Sequence, residues 1–577
     1  MVENLYQRVV KLWGSKVNWV LIIILWAAYG LMVSSMAQKS ATVDEQSHLF
    51  RGAAYLKAGA THFLLGHPML GSMIAALPLL TEPDLQLPTE TAAWAEGNWS
   101  TAGHLFMWEL NDNPQRLLFL GRTPIIWLTL ILASLLYRWG YQLADRRVGL
   151  VAASLFLFDP NLLAHGRLIT GDLPVTFFFV VAAYGYWRLL KVPEQSRFSA
   201  YVPAILLTGC GMGLASATKF NAGLLVPILG VAGLIMVLKR RDIRPLWYLF
   251  VAGLVAWGAV WVVYGFAWRP LPGGSFWDDL FWELRYFDKP HGSYLAGNIS
   301  TTGWWYYFPV AFMIKTPIPL LLLLVAGVVQ WGRQWRQGNV AGLDLPAHLC
   351  LLSPPIVYFI FCLTSSLNIG YRYMLPMLPF LWLFTAIYLF APGMKRLAYQ
   401  QVVQAGAGGL IVVLIGLSVG QWPDYIPFFN QLVGEEGWHI LADSNVDWGQ
   451  DLPALAEWQA EHGGDLQLSY FGTAAPSAYG IDFKPLPTWS PAPEQGLPQY
   501  QPFWPAQPAP GLYGISVTNL QGVVLGSEPE TYAWFRDKEP LARIGGSIFI
   551  YEVAASGEPV DMVLAGLTPA ELEGELV

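Results

Sequence analysis

The sequence predicts an all-α polytopic membrane protein of about 11 transmembrane helices, with external amphipathic helices and a small C-terminal α/β or α+β extracytoplasmic domain. Three observations predict it: an apolar composition, a series of long apolar segments, and basic residues that recur between every second pair of them. Hydrophobic residues make up 54% of the 577-residue chain and charged residues 13%, against roughly 25% charged in soluble domains. Such a chain needs lipid as solvent. The 27 Trp and 26 Tyr suit two interfacial belts, where amphipathic rings sit at headgroup depth, and could also line a sugar site. The net charge of -7 divides between basic clusters at the apolar spans and acids in the loops and tail, which argues against nucleic acid as a partner. Cys210, Cys350 and Cys362 lie within or beside apolar spans without metal-type spacing, so no disulfide framework is expected.

Segments long enough to cross a hydrocarbon core of about 30 Å run near 18–37, 119–142, 148–163, 173–190, 201–218, 221–238, 246–266, 308–331, 347–365, 371–391 and 402–421. Arg8, Lys11 and Lys16 precede the first span. Arg146/Arg147, Lys191/Arg197, Lys239/Arg240/Arg241, Arg333/Arg336 and Lys395/Arg396 mark every second loop thereafter. The bias of Lys and Arg towards cytoplasmic loops places the N-terminus in the cytoplasm and everything after about residue 422 outside a multi-pass cell membrane protein. A cleaved signal peptide ending near Ser35-Met36-Ala37 is the alternative for the first span, but the apolar stretch is long for one. Residues 1–421 then form a membrane module and 422–577 an extracytoplasmic domain. The tail's Pro-rich stretch at 484–511 and β-branched runs at 513–518 and 547–551 read as ordinary soluble structure. No internal repeat is evident.

Three large external segments follow from this topology: 38–118, 267–307 and the tail. In the first, Thr42-Val43-Asp44-Glu45 fits a capping box, with Thr42 capping the backbone and Glu45 reaching back. From that start Asp44, His48, Arg51 and Tyr55 share one face of a helix lying along the interface, and Leu49, Ala53 and Leu56 the other. Glu45 is then structural, and Asp44 presents a carboxylate beside His48. The bland reading of Asp44 is a first-turn acid favoured by the helix dipole. Against it stands position, because His48, Arg51 and His67-Pro68-Met69-Leu70 place several titratable groups at one depth.

Asp159-Pro160-Asn161, His165, Arg167 and Thr170-Gly171-Asp172-Leu173-Pro174 share the short turn between the third and fourth spans. Ionisable residues at such a boundary are usually paired or functional. The alternatives are that Asp172 caps the fourth helix and that Arg167 snorkels to the membrane surface. Lys219, Lys315 after Trp304-Trp305-Tyr306-Tyr307, and Arg372 are cations where positive-inside bias would not place one. Each alone could bind ordinary lipid phosphate; together with Arg51 and Arg167 they suggest a site for an anionic headgroup.

These residues resemble the GT-C membrane glycosyltransferases, especially the bacterial branch similar to protein O-mannosyltransferases. The resemblance rests on Asp44-Glu45 after the first span, His67-Pro68-Met69-Leu70, Asp159-Pro160 through Asp172, Lys219, His291-Gly292-Ser293-Tyr294-Leu295, Lys315-Thr316-Pro317 and Tyr371-Arg372-Tyr373, and covers roughly residues 18–420. The tail segment Asp443-Ser444-Asn445-Val446-Asp447-Trp448-Gly449-Gln450-Asp451 also looks like one found in bacterial members. The resemblance implies a sugar, a mannose-like hexose or a pentose, carried on a polyprenyl phosphate and transferred outside the membrane with inversion. Carried over by position, Asp44 would be the general base, although the choice between Asp44 and Glu45 stays open. Asp172 would orient the acceptor or a neighbouring cation. Arg167, Lys219, Lys315 and Arg372 would stabilise the departing phosphate, with His67 near the donor. Glu45, His48, Arg51, His165, His291 and Tyr371 complete the expected substrate-binding set. Met69 stands where the family's motif has a second proline. No β-trefoil insertion occurs in 267–307, so the acceptor, whether protein, glycolipid or glycan, does not carry over.

A transporter or lipid flippase is the runner-up, but transporters place polar groups near the midplane, often in inverted repeats, whereas these spans are cleanly apolar. A membrane scaffold or sensor acting through the tail leaves the cation set without a purpose. A divalent metal is conceivable, because eight of the nine histidines fall outside in this topology. No helical His-x-x-x-His or His-Glu pattern appears, however, and none is assigned. The lipid-linked donor is the one cosubstrate implied.

Overall fold

A computed structural model of the chain describes residues 19–265, 276–287, 291–336, 343–391, 397–488 and 503–555. Arg8, Lys11, Lys16, Lys395 and Arg396, parts of the 267–307 segment and half of the Pro-rich stretch lie outside the described residues. Among the described residues, ten helices are long and apolar enough to cross a membrane: Trp19–Met36, Pro114–Leu143, Asp172–Lys191, Phe198–Ser216, Phe220–Arg240, Arg244–Val263, Ile318–Arg336, Leu345–Thr364, Tyr371–Phe390 and Gln401–Gly420. Several start on a side-chain cap or a proline in the first turn, as at Asn113-Pro114 and Asp344-Leu345-Pro346, where the missing proline N–H costs nothing.

The span expected at 148–163 takes a different form. It is a 12-residue helix, Arg146–Leu157, followed by a break and the six-residue Pro160–His165. Asp145 caps the first by accepting from the backbone N–H of Arg147 and Val148 at 2.9 and 3.0 Å, and Asp159 caps the second by accepting from Asn161 N–H at 3.0 Å. At 1.5 Å per residue the longer piece rises about 18 Å, short for a lipid-facing span. It needs no more, because it is enclosed: its residues from Ala152 to Leu157 are all buried, and it packs so closely on Pro114–Leu143 that a Cβ on Gly140 would meet Gly149 Cα at 2.9 Å.

Successive passes sort the charges to two ends of the bundle. At one end Lys191 pairs with Asp344 at 2.6 Å, and Arg240 reaches Glu194 at 3.3 Å. Asp44, Asp172, Lys219 and Arg372 meet at the other. The first loop also lies at that second end. Its helix Glu45–Ala58 is enclosed by protein over its first ten residues, every one from Glu45 to Ala54 being buried. Thr42 does not cap it. Glu45 does reach back to accept from Thr42 N–H at 2.9 Å, but the Thr42 hydroxyl donates to that same carboxylate rather than receiving a backbone N–H.

The tail carries a five-stranded sheet in the order β4-β3-β5-β7-β6, formed by β3 (Leu466–Ser469), β4 (Phe483–Pro485), β5 (Gly511–Ser516), β6 (Ala542–Ile544) and β7 (Ile548–Val553). β4, β3 and β5 are parallel, while β7 and β6 are antiparallel. The period of two along β7 divides its residues between the faces. Ile548 and Ile550 join the core shared with the bundle, and Phe549 and Tyr551 join a second cluster with Tyr513, Tyr532 and Phe535. The sheet is therefore seated on the site end of the bundle. A buried polar seam reinforces the seat: Lys39 binds Asp424 and, at 2.5 Å, Asp451, whose other oxygen accepts from Ser547 Oγ at 2.6 Å.

Candidate functional site

The adjacent acids Asp44 and Glu45 have opposite fates. Glu45 is fully buried and accepts from Arg122 Nε at 2.8 Å and Nη2 at 2.6 Å, and from Ile169 N–H at 3.0 Å. Arg122 in turn donates to the carbonyls of Met36, Lys39 and Ser40 at 2.7–2.9 Å. Burial opposes ionisation of Glu45, but the Arg122 charge and these donors outweigh it and hold the carboxyl below its usual range. Every Glu45 lone pair is thus committed to tying the loop to the Pro114–Leu143 helix. Asp44, one residue earlier, has 31% of its side chain exposed, against 3% for Asp172 and 0% for Glu45.

Asp44 stands in a four-charge cluster. Arg372 Nη1 lies 2.9 Å from Asp44 Oδ2 and 3.5 Å from Asp172 Oδ2. Lys219 Nζ lies 2.6 Å from Asp172 Oδ1. Each comes from a helix boundary: Asp172 opens its helix, Lys219 sits in an extended residue after Phe198–Ser216, and Arg372 lies in the 3₁₀ turn Tyr371–Met377. The Asp172 carboxylate therefore serves the two cations rather than capping its helix. Aromatic faces cover the cations, with Tyr373 4.5 Å from Lys219 Nζ and Trp448 4.0 Å from the Arg372 guanidinium. Arg372 Nε is buried without a hydrogen-bond partner among the described residues.

Beside this cluster His48 and His67 stack with centroids 5.6 Å apart, and His48 Nδ1 bonds Ser72 Oγ at 2.9 Å. Burial lowers His48 to about 4, His165 to about 3 and His67 well below its usual range. Each shift favours the neutral ring; His48 has its bond to Ser72, while Nδ1 of His67 and of His165 is buried without a hydrogen-bond partner among the described residues. Glu283 approaches His67 Nδ1 at 4.0 Å, and burial pushes its carboxyl up to about 7.

Other expected site residues lie elsewhere. Arg51 Nη2 forms a buried ion pair with both Asp279 oxygens at 2.8 and 2.6 Å, and Nη1 donates to the His67 carbonyl, so Arg51 anchors the helix Phe276–Phe287. Lys315 points away from Asp172; its ammonium donates to the carbonyls of Ile426 at 2.8 Å and Asn445 at 2.6 Å, and burial lowers it to about 7. Arg167 is buried among Arg122, Glu45, Tyr425 and Asp451 rather than beside Asp44, so it does not reach the membrane surface. Tyr371 donates its hydroxyl to, or accepts from, Thr316 at 3.0 Å beneath the cluster. His291 lies next to the hairpin of β1 (Ser293–Leu295) and β2 (Asn298–Ser300). Sequence reasoning missed Arg122, Asp279 and Glu283, and it singled out the tail segment carrying Trp448 without giving it a role. An arginine inside an apolar span is a signal that could have found Arg122. Among the described residues no three His, Cys, Asp or Glu side chains converge as metal ligands.

Residues 112–268 match the family profile described as dolichyl-phosphate-mannose-protein mannosyltransferase. That segment carries Asp159, His165, Arg167, Asp172 and Lys219. A curated relative, dolichyl-phosphate-mannose--protein mannosyltransferase 1 of Schizosaccharomyces pombe, is 30% identical over 94 residues, which is 16% of this chain and 10% of that protein. The match thus spans a small part of the relative's length. Two solved structures align with this chain at low identity. ArnT from Cupriavidus metallidurans bound to undecaprenyl phosphate aligns with a TM-score of 0.47 at 11% identity, covering 92% of this chain and 97% of that one. The Archaeoglobus fulgidus oligosaccharyltransferase AglB, in complex with an inhibitory peptide and a dolichol-phosphate, aligns with a TM-score of 0.43 at 11% identity, covering 70% and 56%.

Proposed function

We propose that this protein is an inverting glycosyltransferase that moves a sugar, a mannose-like hexose or a pentose, from a polyprenyl-phosphate donor to an acceptor hydroxyl on the outer side of the membrane. The observation that carries the reading is one accessible carboxylate, Asp44, held by the buried Arg372, which shares the buried Asp172 with a second cation, Lys219. The family match over residues 112–268 supports it, because that segment supplies Asp172 and Lys219.

In this scheme the acceptor hydroxyl lies against Asp44, which takes its proton as the acceptor oxygen attacks the anomeric carbon. The bond from that carbon to the phosphate oxygen breaks on the opposite face, giving inversion, and the polyprenyl phosphate leaves with the electron pair. The leaving group gains charge in the transition state. Preorganised cations in a water-poor pocket stabilise such charge without reorganising, and Lys219 and Arg372 are the cations in place. Asp172 holds both in register. Lys315 and Arg167 drop out of the phosphate set, since Lys315 is spent on tail carbonyls and Arg167 stands with Arg122, Glu45, Tyr425 and Asp451. The basic end of the bundle, opposite the cluster, supports an outward-facing site by the positive-inside rule. Residues 1–421 then form the catalytic module and 422–577 an extracytoplasmic domain.

Mass spectrometry of envelope glycolipids and glycoproteins, with and without the gene, tests the activity and names the acceptor. A sugar missing from one acceptor and restored by the wild-type gene is the expected result. Identical glycan profiles in both strains would contradict it.

A further inference from the structure

The tail segment from Asp443 to Asp451 is built into the centre of the cluster. Trp448 lays its ring over the Arg372 guanidinium, with 4.0 Å between the guanidinium carbon and the ring centroid. The backbone on either side of the reacting groups is fastened to the same segment. Val43 N–H, one residue before Asp44, donates to the Trp448 carbonyl at 3.0 Å. Tyr371 N–H, one residue before Arg372, donates to Asn445 Oδ1 at 2.9 Å, and Ser444 Oγ donates to the Ile369 carbonyl at 2.7 Å. Asn445 Nδ2 also donates to Tyr307 Oη at 2.9 Å.

The segment is itself held rigid. Trp448 N–H donates to Gln450 Oε1 at 2.7 Å, and Gln450 Nε2 donates to the Val446 carbonyl at 3.0 Å. Gly449 takes φ +83, and a Cβ there would meet Tyr470 Oη at 2.7 Å and Gly472 Cα at 2.9 Å, so only glycine lets the chain turn behind the tryptophan. Trp448 is 2% exposed. A flat guanidinium covered on one face by an indole keeps its edges free for oxyanions. Here one edge meets Asp44 and Asp172, and the buried Nε has no partner among the described residues.

We propose that Trp448 is a positioning residue of the transfer site: through its stack on Arg372 and its carbonyl bond to Val43, the tail sets the distance between the acceptor base and the phosphate-binding cation. This rests on the glycosyl-transfer reading above. It makes the tail part of the active centre rather than an appended domain.

The test measures binding of undecaprenyl phosphate to the purified full chain by wild type, W448F and W448L, with a thermal unfolding curve for each. Phenylalanine keeps a π face; leucine keeps apolar bulk without one. The expected result is that W448F binds within about threefold of wild type while W448L loses about tenfold or more, the size of a desolvated cation–π contact, with the two variants unfolding at similar temperatures. Equal binding by W448L and wild type overturns the proposal. Equal loss in both variants, tracking a shared fall in unfolding temperature, overturns it too, since it marks packing alone. If wild type does not bind undecaprenyl phosphate, the transfer reading itself fails, a result distinct from either.

Discussion

Replacing Glu45 by glutamine separates the two adjacent acids, because their surroundings assign them different work. Glu45 and Arg122 are 0% and 1% exposed, and neutralising one member of a buried ion pair costs about 3–5 kcal/mol. A second cost follows from the bonding pattern. Glu45 Oε1 accepts from Ile169 N–H and Oε2 from Thr42 N–H, so whichever oxygen becomes an amide NH2 faces a backbone donor and leaves it unpaired, at about 1–3 kcal/mol. The sum, about 4–8 kcal/mol, is a large part of a typical domain's stability of about 5–15 kcal/mol. Thermal unfolding in detergent, followed by size-exclusion recovery, should show the variant strongly destabilised. The double variant E45M/R122M should not recover the loss, since it also strips the partners from the Thr42 and Ile169 N–H groups and from the Met36, Lys39 and Ser40 carbonyls. The pH dependence has a defined sign. The folded-state pKa of Glu45 lies below its usual 4.5, so its contribution is fully present above about 4.5 and is lost as pH falls through the lowered folded value. The gap between wild type and E45Q should therefore narrow in acid. A variant that unfolds like wild type yet transfers no sugar would refute this reasoning and make Glu45 the base.

Two further outcomes are expected. A Cβ on Gly52 would lie 2.0 Å from the Ser72 carbonyl oxygen and 2.8 Å from Ala76 Cβ, so G52A must push Glu45–Ala58 off Leu70–Ala76 and break the His48 to Ser72 bond. Overpacking of this kind costs about 1–3 kcal/mol, read as a lower unfolding temperature, and wild-type stability would show that the helices can separate freely. Glu283, raised to about 7 by burial with Lys219 opposing the rise, places a negative charge near the phosphate site above that pH. Undecaprenyl phosphate should bind E283Q better than wild type at pH 8 and equally at pH 6; an identical difference at both pH values would remove Glu283 from the site.

How much of this was legible in the sequence follows from where each signal resides. Asp44, His48, His67, Asp172, Lys219 and Arg372 span more than 300 residues, yet each sits at the same end of an apolar span, and bilayer thickness fixes that depth. Their convergence could therefore be anticipated without knowing a contact. Lys315 has the same placement but turns to the tail's carbonyls, because side-chain direction depends on packing against a domain whose seat no local pattern specifies. The 148–163 segment departs from a continuous long helix for a related reason. Apolarity scales with burial, and a piece enclosed by neighbouring helices can be apolar at 12 residues. The capping box gave the right reach for Glu45 and the wrong partner for Thr42, whose hydroxyl donates to the Glu45 carboxylate that Arg122, 77 residues away, holds ionised.

The central claim, that Asp44 is the base beside a phosphate-binding pair, is tested most directly by Asp44→Asn in purified protein with undecaprenyl-phosphate sugars and envelope acceptors. A positioned general base contributes about 10²–10⁴ in rate. The variant should thus lose transfer by at least about 100-fold while unfolding like wild type and binding undecaprenyl phosphate at least as tightly, since Arg372 is released from one carboxylate. Transfer by the folded Asn variant at the wild-type rate would contradict the account.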